Sequence, residues 1–220
     1  AGSTPSCQPR ASVAGNTFPS IGRIARNISA GLAIGLPLAA AWIQPAQAVL
    51  IYNFYELGGN LVVDGTGSLS LPSPFATGGS FVPSNGLLRL DLASFLTGTI
   101  APTIQVDGYS ITGPTTLGAG IIPTINGGIT SSSDSGIGSA LIYNAGVFVI
   151  DSTYVSGTTI NSSSTFTGIS LASLGMPNSG ILGTWTLVDP NNSSYVGDTI
   201  SVQVNAGGSL ANVPGPLPIL

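Results

Sequence analysis

From Val49 onward, apolar and polar positions alternate in short runs that stop at glycine, asparagine, proline or serine. Leu50–Leu57 is β-branched and aromatic and ends at Gly58-Gly59, the profile of a strand entering a turn. Asn60–Val63 leads into Asp64-Gly65-Thr66-Gly67, a tight-turn pattern, and Ser68–Leu71 alternates strictly beyond it, so a hairpin is predicted there. Leu88–Leu92 and Thr103–Asp107 alternate in the same way. Ala140–Tyr143 and Val147–Ile150 flank Asn144-Ala145-Gly146, which predicts a second hairpin. Further strands are expected at Tyr154-Val155, Thr165–Ile169, Thr184–Val188 and Thr199–Val204. Only Ser170–Gly175 is compatible with a helix, and it is long enough for one turn.

Many short strands separated by turn residues predict an all-β fold, a β-sandwich or jelly-roll-like arrangement of antiparallel sheets. A β-solenoid is the competing architecture, because the Gly/Ser/Thr bias resembles repetitive surface proteins, but no fixed period runs through the sequence. The sequence contains no lysine, the residue that most often guards exposed strand edges. The edges must therefore be covered by loops, twisted away at glycines, or paired with another copy.

Upstream of these strands the pattern changes. Arg23 and Arg26 precede the apolar run Ile28–Trp42, and a short polar stretch ends in Ala46-Gln47-Ala48. A positive flank, a short greasy core and small residues at the −3 and −1 positions describe a secretory signal peptide cleaved after Ala48, with Ala46 and Ala48 as its recognition residues. Crossing a bilayer takes about 20 apolar residues, and this run falls short and holds Gly35 and Pro37. Residues 1–48 are thus read as a non-globular leader, 49–205 as the β-domain, and 206–220 as a linker opening a C-terminal signal. No methionine precedes Met176, so the sequence reads as a piece of a longer precursor.

Charge narrows the function classes. Beyond Val49 a single base, Arg89, faces eight acids, which leaves −7. Nucleic acid and anionic membrane surfaces call for clustered Lys or Arg, so neither is an expected partner. The one cysteine, Cys7, lies in the leader. A body of about 160 residues can bury an adequate core without disulfides. With no histidine, and no cysteine or lysine after Ala48, triads, thiol nucleophiles, Schiff-base chemistry and His-based metal sites are excluded there. An enzyme is not expected, and neither is a resident cofactor. Calcium is the one metal to consider, through Asp134, Asp151, Asp189, Asn191, Asn192 and Asp198 with loop carbonyls, although turn-forming side chains account for the same residues. Trp185, Tyr109, Tyr143, Tyr154 and Tyr195 are candidates for a sugar-stacking platform; core packing is the default reading for Trp185, and Tyr109 matters only if exposed.

The tail departs from the strand pattern at Asn205. A small, polar linker runs into Val213-Pro214-Gly215-Pro216-Leu217-Pro218. This stretch resembles the start of a PEP-CTERM sorting signal, with Gly215 where the better-known motif has Glu. In the body, Gly59–Leu71, Ile111–Gly118, Tyr154–Gly157, Thr165–Gly175, Gly183–Leu187 and Asp198–Val204 are similar to elements that recur in proteins bearing that signal. The resemblance implies a membrane helix and a basic end beyond Leu220, processing by an exosortase-like enzyme, and contact with the membrane through that helix alone. It also implies export to the cell surface, outer envelope or extracellular matrix of a Gram-negative bacterium or cyanobacterium, next to exopolysaccharide. Two functions are therefore expected from this chain: a non-enzymatic surface or matrix protein or, alternatively, a secreted carbohydrate-binding module with calcium-supported loops.

Overall fold

A computed structural model of the chain describes residues 47–79, 85–100, 105–118, 127–195 and 197–205, all of them within one compact unit, Gln44–Leu220. Among the described residues there are thirteen strands: β1 (Val49–Leu57), β2 (Asn60–Ser68), β3 (Ala76–Gly79), β4 (Leu87–Arg89), β5 (Ser94–Thr97), β6 (Val106–Thr112), β7 (Ile129–Thr130), β8 (Ser133–Gly136), β9 (Ser139–Ile142), β10 (Val147–Asp151), β11 (Thr159–Phe166), β12 (Ser179–Val188) and β13 (Thr199–Asn205). Two single 3-10 turns, Leu90–Leu92 and Ala172–Leu174, are the helical pieces among the described residues. The fold is all-β, as the alternation predicts.

Every strand joins one hydrogen-bonded sheet, in the order β7-β4-β5-β9-β10-β6-β12-β13-β1-β2-β11-β8, with β3 added on β6. The ladders are antiparallel except for β1 on β13, which run parallel from Val49↔Thr199 to Phe54↔Val204. The first and last strands of that order, β7 and β8, are consecutive in sequence. Thr99, just past β5, bridges Ile137, just past β8, and its N–H donates to the Gly136 carbonyl at 3.1 Å. The Ser131 N–H likewise donates to the Gly86 carbonyl at 2.9 Å. The sheet therefore curls until its two ends share hydrogen bonds. Its facing layers are arms of one continuous sheet, where the sequence suggested separate sheets, and the end strands β7 and β8 stay largely exposed, tied to the opposite arm by these few bonds.

Between the arms lies a core of inward-facing apolar side chains. Phe95 on β5 stands edge-on to Tyr52 and Phe54 on β1, with ring centroids 5.0 and 5.3 Å apart. Such pairs contribute about 0.5–1.5 kcal/mol beyond their buried area. On β13 strict alternation sends Ile200, Val202 and Val204 inward. On β11 the same alternation buries Ile160, Ser162, Ser164 and Phe166, so half of its inward positions are hydroxyls.

Several predicted elements change. The turn expected at Asp64–Gly67 is strand, because β2 runs unbroken from Asn60 to Ser68 and the hairpin instead turns at Gly58-Gly59. A Cβ on Gly65 would lie 2.6 Å from the Ser162 hydroxyl, so this glycine serves close approach of β11, not a reversal of the chain. Leu88–Leu92 is strand only to Arg89, then a 3-10 turn closed by Ala93 at φ 55°. Tyr154-Val155 lies in a turn region. The hairpin at Asn144–Gly146 and the single helical turn near Ser170–Gly175 form where expected.

Candidate functional site

The most elaborated polar site surrounds the predicted cleavage point. β1 opens at Val49, the residue after Ala48. The Ala48 N–H donates to Asp198 Oδ1 at 2.8 Å, and the Ala48 carbonyl accepts the Thr199 N–H at 3.2 Å. The Gln47 amide donates to the Gly197 carbonyl at 3.0 Å. Asp198 is placed there by the parallel ladder, which sets the residue before β13 beside the residue before β1. Its other oxygen, Oδ2, accepts the N–H of Ser70, where the chain leaves β2. With only 6% of its surface exposed, Asp198 is a buried carboxylate held by two backbone donors. The ion pair found among the described residues, Arg89 with Asp91 at 3.2 Å, lies elsewhere.

Two tyrosines wall this site. The Tyr195 hydroxyl donates to the Ser70 carbonyl at 2.6 Å. The Tyr154 hydroxyl lies 3.0 Å from both the N–H and the carbonyl of Leu69, and donates to the Thr158 carbonyl at 2.8 Å. Burial pushes both phenols above their ordinary pKa, and the Asp198 charge pushes them further the same way.

The other carboxylates are likewise occupied by the chain itself. Asp134 takes the Gly86 N–H at 3.0 Å and the hydroxyls of Ser131 and Ser164. Asp151 takes the N–H and hydroxyl of Thr153, and Asp189 takes the N–H of Asn191. Asp107 reaches the Gly78 N–H at 3.3 Å, and Glu56 takes the Leu171 N–H at 2.6 Å. Asp64 accepts the Tyr55 hydroxyl, and Asp91 is held below its ordinary pKa by hydrogen bonding to Arg89. All eight acids thus serve as fasteners for turns, strand ends and loops.

The sequence-derived candidates disperse accordingly. Asp134 sits where the sheet ends meet, Asp151 at the end of β10, Asp189 with Asn191 and Asn192 after β12, and Asp198 before β13. No group of three or more acidic, His or Cys side chains able to hold a metal occurs among the described residues. The aromatics do not build a platform either. Trp185 is fully buried, donating its indole N–H to the Pro114 carbonyl at 2.8 Å, and Tyr109 and Tyr143 are buried. Tyr154 and Tyr195 are partly buried with hydroxyls on backbone. Of the large aromatics, only Phe75 stands out into solvent, 51% exposed among the described residues. Ala48 is in the site just described. Ala46 and the sorting motif Val213, Pro214, Gly215 and Pro216 lie outside the described residues.

Sequence reasoning missed the seam where the sheet closes. There Ser164 accepts the Gly98 N–H at 3.0 Å and donates to Asp134, and Thr97 donates to the Val63 carbonyl at 2.9 Å. The buried Tyr52 hydroxyl meets that of Ser139 at 2.6 Å. The available signal was the polar run Ser162-Ser163-Ser164, which pairs with Gly136, Ser135 and Asp134. Among the described residues no helix is long and apolar enough to cross a membrane. No protein-family model, curated protein or solved structure matches this chain.

Proposed function

We propose that the chain is an exported, non-enzymatic protein of the cell surface or extracellular matrix, sorted through its PEP-CTERM-like tail by an exosortase-like enzyme and neighbouring exopolysaccharide. The observation that carries the non-catalytic reading is the use of the carboxylates. In a body without histidine, cysteine or lysine they are the main reactive groups, and all eight are engaged by the chain's own donors. A general acid or base is aimed at substrate, whereas these carboxylates are aimed at the backbone and side chains of their own fold. Export is supported by the leader pattern and by the first strand among the described residues, which opens at Val49. The carbohydrate-binding alternative loses support, because its stacking candidates are spent in the core or on backbone.

The reading is tested by producing the chain with its leader and tail in a cyanobacterial host and fractionating the culture. The protein is expected in the envelope or matrix fraction, sedimenting with polysaccharide and released by glycan-degrading enzymes. Recovery from the cytosol with residues 1–48 attached would overturn it.

A further inference from the structure

Asp198 is a buried carboxylate that no basic side chain contacts among the described residues. Its carboxylate is 6% exposed and held by two neutral N–H groups. Beyond Ala48 the sequence offers one basic side chain, Arg89, and that one is paired with Asp91. One of the two donors belongs to Ala48, the residue that leaves with the leader if processing follows the expected cleavage. Removing it would strip a buried carboxylate of a hydrogen bond, which costs more than forming one gains.

Resting on the export reading, we propose that Asp198 is the binding site for the N-terminal ammonium of the processed protein. The leader-removing peptidase adds water across the Ala48–Val49 amide. The carbon–nitrogen bond breaks, an Ala48 carboxylate departs with the leader, and the Val49 nitrogen is left as an amine that is protonated near neutral pH. That nitrogen lies one residue, about 3.8 Å between α-carbons, from the position the Ala48 N–H occupies against Oδ1. It replaces one neutral donor with three, carried on a positive charge, so the exchange strengthens the anchor. The half-exposed Thr199 N–H, released from the Ala48 carbonyl, turns to water.

The same geometry orders the events. The Ala48 carbonyl that the peptidase must attack is engaged at the head of the β1–β13 ladder. Cleavage therefore precedes the docking of β13, and the new terminus is captured as the sheet completes. The titratable and charged groups around the captured amine are Asp198, the phenols of Tyr154 and Tyr195, and Asp189, whose charge also acts on Tyr195. The phenols stay neutral through the range in which an α-amine titrates.

The absence of lysine makes the test clean. The full chain is secreted from a Gram-negative host, and intact mass locates its first residue. Reductive methylation with 13C-formaldehyde then labels the α-amine alone, leaving its positive charge and one N–H donor to meet Asp198, and its methyl resonance is followed from about pH 6 to about pH 10. The expected result is a Val49 terminus whose amine titrates about one unit above that of an identically methylated Val-Leu-Ile-Tyr peptide, a proton held about tenfold tighter. Asp198→Asn is expected to abolish the shift, and Asp189→Asn to leave most of it. The wild-type comparison with the peptide decides the matter even where the Asn variant does not accumulate. A Val49-terminated protein whose amine matches the peptide overturns the ammonium site and leaves export standing. A secreted chain that keeps residues 1–48, or that starts elsewhere, overturns the cleavage reading and the site together.

Discussion

Around Phe95 the two arms of the sheet meet through aromatic rings. Two and three residues further along, at Thr97 and at Gly98 just past the strand, they meet through hydroxyls and bare backbone. The first contact is non-directional and scales with the area removed from water. The second is directional, with each bond worth about 0.5–1.5 kcal/mol net, and it permits an approach no branched side chain would allow. A Cβ on Gly136 would lie 1.8 Å from the Asn161 carbonyl, and one on Gly98 2.4 Å from the Ile137 carbonyl. Burial supplies the driving force, and the glycine–hydroxyl seam decides which residues lie opposite which. A sheet can thus be closed by its least hydrophobic strand.

The contrast can be broken from either side. The largest effect is expected from Trp185→Ala, which empties the biggest fully buried side chain and frees the Pro114 carbonyl. About 4 kcal/mol of stability should be lost, read from urea unfolding, and a loss under about 1 kcal/mol would deny the apolar half its role. Next comes Gly136→Ala, where positive φ and backbone contact add, for about 3 kcal/mol. Gly157→Ala is its control: φ is again positive, but nothing lies within 4 Å of the added carbon, so only about 1 kcal/mol is expected. Equal losses at the two glycines would mean that backbone conformation, not close approach, governs the seam.

The smallest effect is read against pH. Burial raises the Tyr52 hydroxyl far above its ordinary pKa despite the Ser139 bond, and pushes Tyr143 up to about 12. In the unfolded chain both titrate near 10, so above that pH the unfolded state sheds protons that the folded state keeps. Their contribution is fully present below about pH 10 and is lost as pH rises toward the folded values. Unfolding free energy should hold steady to about pH 10 and fall beyond it. Tyr52→Phe should cost about 1 kcal/mol at neutral pH and shallow the alkaline slope; an unchanged slope would show that Tyr52 is not the group responsible.

These two regions also differ in how legible they are. Strands whose inward positions are Val, Ile, Leu or aromatic stand out: in Thr199–Val204 alternation tracks burial, and in Leu50–Leu57 the β-branched and aromatic run does. β8, Ser-Asp-Ser-Gly, and most of β11, Thr159–Ser164, do not, because β8 turns only the Asp134 carboxylate partly inward and β11 buries the hydroxyls of Ser162 and Ser164, whose partners lie far off in sequence. The Asp64-Gly65 pattern reads as a turn locally, while the reason for Gly65 is a neighbour about a hundred residues away. The candidate site was half visible: Ala48 follows from the leader pattern, but Asp198 could not be joined to it without the parallel register. Trp185 was recognisable as core.

That register has a mechanical side as well. β1 and β13 point the same way, so a pull on the head of β1 and on the tail of β13 runs along the strands in opposite directions. Six paired positions then resist together, as in a lap joint loaded in shear, and none peels open ahead of its neighbours. A pull passing through these two strands loads this ladder in shear from its first pair to its last.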